Sequence, residues 1–140
     1  MKDQNSSPSV FLIRLMVGAV FLTEGIQKFL FADQLGAGRF AKIGLPWPQL
    51  LAPLTGGFET VCGALVIVGL FTRLATLPLM AVIGTAIVVT KVPMFAHDGF
   101  WKAAHESRVD FAMLLGLLFL LTVGAGGLSI DGSRAAKSEP

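Results

Sequence analysis

The sequence is poor in charged residues and in cysteine, and each shortage excludes a class of protein. Only 14% of its 140 residues are charged, against about 25% in a typical soluble domain. Cys62 is the sole cysteine, so the chain can form neither an intramolecular disulfide nor a CxxC redox pair. The 11 lysines and arginines are scattered and form no basic patch of the kind that binds nucleic acid.

Apolar residues, by contrast, are abundant and gathered into long runs. They make up 54% of the chain, and four runs reach the length of about 20 residues that a helix needs to cross a hydrocarbon core. These runs lack the alternation of membrane β-strands, and helices satisfy the backbone polar groups of isolated spans in lipid. The predicted spans are 10–31, 50–71, 74–92 and 109–128.

We therefore predict an all-α fold, a transmembrane four-helix bundle with antiparallel neighbours. Residues 1–9 and 129–140 are predicted to be polar tails, the second of them frayed. The first run is too long for the core of a signal peptide and no small-residue cleavage site follows it, so we expect it to be retained as a span. Four spans place both termini on one side of the membrane and the two longer connections, 32–49 and 93–108, on the other.

The connections predict local structure and bear on orientation. Only Thr72 and Arg73 join the second and third spans, which predicts a tight hairpin with Thr72 as the N-cap of the third helix. Pro78 and Pro93 are expected to kink or end that helix, and Trp47 is typical of an anchor at the membrane interface. Basic residues divide almost evenly between the two sides, so the positive-inside rule does not fix the orientation. We place both termini in the cytoplasm and the chain, as a multi-pass protein, in the inner (plasma) membrane of a bacterium or archaeon.

Ionisable residues concentrate in the loop-side half of the predicted bundle. Insertion of one charged side chain at the centre of a membrane helix costs about 2.5–3.5 kcal/mol, so each such residue needs a neutralising partner or a function. Glu24 and Glu59 lie roughly 10 and 13 Å from the loop-side ends of two antiparallel helices, and can therefore share one layer. The predicted polar cluster, which could also bind a ligand, comprises Glu24, Gln27, Lys28, Glu59, Lys91, Arg108 and Asp110.

Glu59 is the candidate proton-handling, and hence catalytic, residue. It has no cation on its own helix, so its partner must come from another helix or it stays protonated. Burial in apolar surroundings favours the protonated form of a carboxyl group, as proton handling requires. Glu24 and Lys28, four residues apart, can instead form a purely structural pair within one helix.

For other polar residues, purely structural interpretations remain open. Lys28, Lys91 and Arg108 lie near helix ends and can simply extend to the membrane interface. His97 and His105 are eight residues apart, which fits no compact ligand spacing, so we expect no metal. Arg14 is expected to reach the lipid headgroups or Asp131. The many glycines of the spans are expected to let helix backbones approach closely.

Three segments resemble the DoxX family of small four-helix membrane proteins: RLMVGAVFLTEGIQKF, GGFETVCGALVIVGLFTRLAT and GAGGLSID. The resemblance covers roughly residues 11–131. The family pattern of an Arg and a Gly-x-x-Lys in the first helix is matched by Arg14 and 25–28. Its Gly-x-x-Glu in the second helix, followed by a Thr-Arg turn, is matched by 56–59 and 72–73. Founding members of the family are subunits of a thiosulfate:quinone oxidoreductase.

This resemblance implies an accessory membrane subunit of a quinone-linked redox system, with no intrinsic cofactor. The layer around Glu59 would bind a quinone headgroup or move a proton, and a partner redox protein or a second copy in a homo-oligomer would complete the system. Whether the chain is itself an enzyme stays open. A non-enzymatic scaffold or assembly factor is the first alternative. A small-solute carrier is the second, and it ranks last because no inverted repeat is visible.

Overall fold

A computed structural model describes residues 7–138, and this part of the chain is almost entirely helical, without β-strands. Residues 1–6 and 139–140, the outer parts of the two predicted tails, lie outside the described residues. The helices are, in chain order, α1 (Ser9–Leu30), α2 (Ala32–Leu35), α3 (Ala37–Lys42), α4 (Pro48–Val68), α5 (Thr72–Ala86), α6 (Val92–Asp98), α7 (Phe100–Glu106), α8 (Arg108–Val123) and α9 (Ile130–Ser138). A π-helical turn, Ile87–Lys91, joins α5 to α6.

Four of these helices form a bundle. Helix α1 packs on α4, α4 on α5, α5 on α8, and α8 on α1, with the most extensive contact between α1 and α4. Within residues 7–138, three helical stretches are long and apolar enough to cross a membrane: α1, α4 and the continuous stretch Thr72–Asp98. Helix α8 has 16 residues, about 24 Å at 1.5 Å per residue. The predicted all-α membrane fold is confirmed.

Apolar side chains occupy both the inside and the outside of the bundle. Val17, Val66, Leu79, Leu117 and Leu120 are completely buried. Large apolar residues on every long helix nevertheless point outward, a pattern that a soluble monomer does not tolerate but that lipid covers. Strongly exposed examples are Leu12, Leu54, Val61, Leu74, Val88, Phe111 and Leu118.

The turn between α4 and α5 is stabilised by one glycine and by one carboxylate that is distant in sequence. Gly69 adopts a φ of +71°, which ends α4 at Val68 in a left-handed cap suited to glycine. Thr72 is the first residue of α5 and forms no side-chain cap, so its prediction as the N-cap was wrong. The Asp131 carboxylate caps α5 instead, accepting hydrogen bonds from the backbone N–H groups of Phe71 at 2.9 Å and Thr72 at 3.0 Å.

Pro93 does not end the third helix, which stays helical to Asp98. A proline has no N–H to donate, and its ring crowds the carbonyl four residues earlier, here that of Val89. The π-helical turn Ile87–Lys91 lies at this place. We attribute the wider turn to that crowding, because a π-bulge lets a helix pass such an obstacle.

The C-terminal segment is a docked helix, so its prediction as a frayed tail was wrong. Helix α8 ends at Val123, five residues before the end of the predicted span, because Gly124 and Gly126 adopt φ values of +87° and +78° and turn the chain. Helix α9 follows at Ile130. The Asp131 N–H donates to the Gly69 carbonyl at 2.9 Å, which fastens α9 to the α4–α5 turn.

Candidate polar sites of the bundle

The first site depends on the close approach of α1 and α4. A Cβ atom built on Gly25 would lie 2.6 Å from the Thr60 nitrogen and 2.7 Å from the Gly56 oxygen. Two turns away, a Cβ on Gly18 would lie 2.8 Å from the Gly63 oxygen. The backbones of the two helices therefore touch, as small residues allow in membrane proteins. This contact brings the side chains of α1 and α4 within reach of one another.

An ion pair joins the two helices beside this contact. The Lys28 Nζ atom lies 2.7 Å from Glu59 Oε2, and the two side chains are 11% and 5% exposed. Glu59 thus has a cation from another helix, one of the two outcomes that its sequence position predicted. A buried ion pair of this length in an apolar bundle is stabilising only as long as both partners are present.

Glu24 is left out of this pair although it lies one turn from Lys28. Lys28 Nζ is 3.5 Å from the Glu24 backbone oxygen, and the pair expected between the two side chains does not form. Glu24 is exposed on the outside of α1 and Gln27 is half-buried. Glu24 nevertheless remains close enough to act electrostatically on Glu59. The site thus holds two carboxylates and one ammonium group.

The remaining members of the predicted cluster lie on the other two helices. Lys91, at the end of the π-helical turn, has its Nζ atom 3.4 Å from Asp110 Oδ2 of α8, and both side chains are 18% exposed. Arg108 is exposed and donates to the carbonyl of His105 at 2.5 Å. Among residues 7–138, no hydrogen bond or ion pair links the Lys91–Asp110 pair to the Lys28–Glu59 pair. The predicted single cluster is therefore two separate pairs with exposed charges beside them.

The histidines do not contribute to a site in the described chain. His97 and His105 are both exposed. Within residues 7–138, no group of three or more His, Cys, Asp or Glu side chains is arranged to hold a metal ion.

A second polar site, at the opposite end of the bundle, was mostly missed by the sequence analysis. Arg14 is 1% exposed, and its guanidinium group donates to the carbonyls of Ile67, at 3.3 Å, and Leu128. It acts electrostatically on Asp131, one of its two expected partners. Arg14 therefore binds the end of α4 and the segment after α8 to α1. The Asp131 cap could not be predicted, because its acceptors lie about 60 residues from the N–H groups they bind.

Two open cavities lie at this second end of the bundle. One, of about 650 Å³, is lined by Val68, Leu128, Ser133, Arg134 and Lys137 among others. The other, of about 500 Å³, lies between the start of α5, the end of α8 and α9, and Asp131 is part of its wall.

Comparison with known proteins places these residues in a family. The DoxX family model matches residues 9–92, a range that includes Lys28, Glu59 and Lys91. An uncharacterized membrane protein of Mycobacterium tuberculosis, Rv3486, is 52% identical over 130 residues, covering 89% of this chain and 80% of the relative. An uncharacterized protein of Haemophilus influenzae is 27% identical over 139 residues, covering 94% and 86%. No solved structure matches the chain. The chain belongs to the DoxX family.

Proposed function

We propose that this protein is an accessory subunit of a quinone-linked redox system. It would cross the inner membrane four times with both termini in the cytoplasm, and a partner protein would supply the redox centre. The observation that carries the proposal is the buried Lys28–Glu59 pair, 2.7 Å long, inside membrane-spanning helices. Polar groups at such depth are costly in a bilayer and are generally functional.

The charge of this site supports a role in holding a proton. If Glu24, Glu59 and Lys28 are all ionised, the site carries one negative charge in excess. A bilayer disfavours such an excess of charge. Protonation of the exposed Glu24 carboxyl group would neutralise the site. The exposed carboxylate of Glu24 would exchange this proton with a group outside α1, while Glu59 stays paired with Lys28.

The same residues fit a quinone headgroup approaching from the lipid. Quinone carbonyls accept hydrogen bonds, and the Lys28 ammonium and the half-buried Gln27 amide are donors on this part of α1. The headgroup would lie against the outer face of α1, beside the exposed Glu24. A bound quinone would supply two-electron, two-proton chemistry. Lys28 would orient its carbonyl oxygen, and Glu24 would hold the proton.

Binding of a short-chain quinone analogue to the protein in nanodiscs tests the proposal. We expect saturable binding by calorimetry for the wild type. Glu59→Gln should weaken it about tenfold or more, because Lys28 loses the carboxylate that orients it. Asp110→Asn is the matched control, since it makes the same change in the other ion pair and should leave binding unchanged. Binding that is absent from the wild type, or that falls equally in both variants, would contradict the proposal.

A non-enzymatic scaffold is the second candidate. It is favoured by the fact that both ion pairs and the glycine contacts join one helix to another, as purely structural interactions would. In this case a protein partner should co-purify from native membranes in equal amounts with the wild type and Glu59→Gln, and neither should bind the quinone analogue.

A further inference from the structure

An open groove lies between the end of α4 and helix α9, at the end of the bundle away from the Lys28–Glu59 pair. Its volume is about 650 Å³. Val68 and Leu128 form an apolar part of its wall, and Ser133, Arg134 and Lys137 of α9 form a polar part. The groove is therefore amphipathic, with apolar side chains on the bundle and two cations on the terminal helix.

The groove is positively charged because the nearby carboxylate, that of Asp131, caps α5 and does not line the groove. Asp131 directs its carboxylate to the N–H groups of Phe71 and Thr72, and it lines the other cavity. None of the described residues that line the groove is acidic. Arg134 and Lys137 therefore act on an occupant of the groove without a competing carboxylate in its wall.

The position of Arg134 is supported by an aromatic ring. Its guanidinium carbon lies 5.7 Å from the centroid of Phe71, a distance typical of a cation–π contact. Phe71 itself is 54% exposed at the α4–α5 turn. An arginine over an exposed ring at the end of membrane helices is well placed at the level of lipid headgroups.

We propose that this groove binds the phosphate of an anionic phospholipid. Arg134 and Lys137 would pair with the phosphate oxygens, since guanidinium and ammonium groups are the usual phosphate ligands in proteins. The hydroxyl of Ser133 would donate a further hydrogen bond, and Val68 and Leu128 would contact the upper part of an acyl chain. The groove is separate from the site of the proposed redox function, so either can fail without the other.

The test compares lipids and variants by native mass spectrometry of the protein released from detergent. We expect phosphatidylglycerol to be retained in preference to phosphatidylcholine. The double substitution Arg134→Gln and Lys137→Gln should reduce this retention about tenfold or more, given the usual contribution of each basic residue at a membrane surface. The matched control is Arg39→Gln with Lys42→Gln, which removes two cations from α3 and should leave retention unchanged.

Three results would overturn the proposal: no preference for phosphatidylglycerol, an equal loss in both double variants, or equal retention of soluble glycerol phosphate. The last result would assign the groove to free phosphate and not to a lipid. Lys137→Gln alone changes an exposed residue near the end of α9, so it should fold even if the double variant does not. It should reduce retention about fivefold, and unchanged retention in this variant would also contradict the proposal.

Discussion

At the scale of single residues, Lys28 and Glu59 depend on each other for their stability. Both are largely withdrawn from solvent, and transfer of a charge out of water costs several kcal/mol. Their mutual attraction offsets this cost only while both are present. Replacement of a whole buried pair by apolar residues of similar size is often neutral, whereas removal of one partner typically costs about 3–5 kcal/mol.

We therefore predict that Lys28→Met lowers the free energy of unfolding by about 3–5 kcal/mol, because it leaves the Glu59 carboxylate without a cation. Lys28→Met combined with Glu59→Met should recover most of this loss. Reversible unfolding in mixed detergent micelles measures both. If the loss in the double variant equals the sum of the losses in Lys28→Met and Glu59→Met measured singly, the pair is not coupled.

The more exposed Lys91–Asp110 pair provides the control for this cycle. Its side chains are 18% exposed and its ion pair is longer, at 3.4 Å, so less attraction is lost and Lys91→Met should cost about 1 kcal/mol or less.

At the scale of the elements, the contact between α1 and α4 depends on glycines whose contributions differ. Sequence reasoning predicted that glycines would let helices approach, but it could not separate Gly56 from its neighbour Gly57. A Cβ on Gly56 would lie 3.0 Å from the Phe29 ring, whereas one on Gly57 would meet nothing within 4 Å. The difference comes from the rotation of α4 about its axis, which neighbouring helices set and the apolar run does not reveal.

Gly25→Ala and Gly57→Ala should consequently have opposite effects. The first places a methyl group against the backbone of Thr60, which should separate α1 from α4 and cost about 1–3 kcal/mol. The second adds a methyl group in open space and improves helix propensity, so it should be neutral or stabilising by up to about 1 kcal/mol. Thermal unfolding in one detergent compares the two. A Gly25→Ala variant as stable as Gly57→Ala would show that the close contact is unimportant.

At the scale of the whole molecule, hydropathy predicted the positions of the long helices well but not which side chains on them pair with one another. Helix α1 begins and ends one residue from the predicted bounds, because apolar length alone determines a span. The absence of a cation from its own helix predicted that Glu59 would take a partner from another helix or stay protonated, and Lys28 of α1 is that partner. Which cation that is depends on helix rotation, and for the same reason Glu24, which was predicted to share a polar cluster with Glu59, lies exposed. Helix α9 was missed because contacts distant in sequence hold it in place.

The proposed topology of four spans predicts that the two connections and the two termini lie on opposite sides of the membrane. In a Cys62→Ser background, Ala104→Cys probes the loop side and Ser138→Cys the terminal side; both sites are exposed. A membrane-impermeant maleimide added to spheroplasts should label the first variant and not the second. Labelling of only the second would reverse the proposed orientation, and labelling of both would contradict four spans.

The cap that Asp131 provides also affects the order of events during biosynthesis. The ribosome makes Thr72 59 residues before Asp131, so the turn between α4 and α5 is synthesised well before the acceptor that caps it. The N–H groups of Phe71 and Thr72 must meanwhile bind water or headgroups. Completion of this turn is thus among the last events of biogenesis, and a nascent chain that stops short of residue 131 leaves the hairpin uncapped, however fully its helices have been inserted.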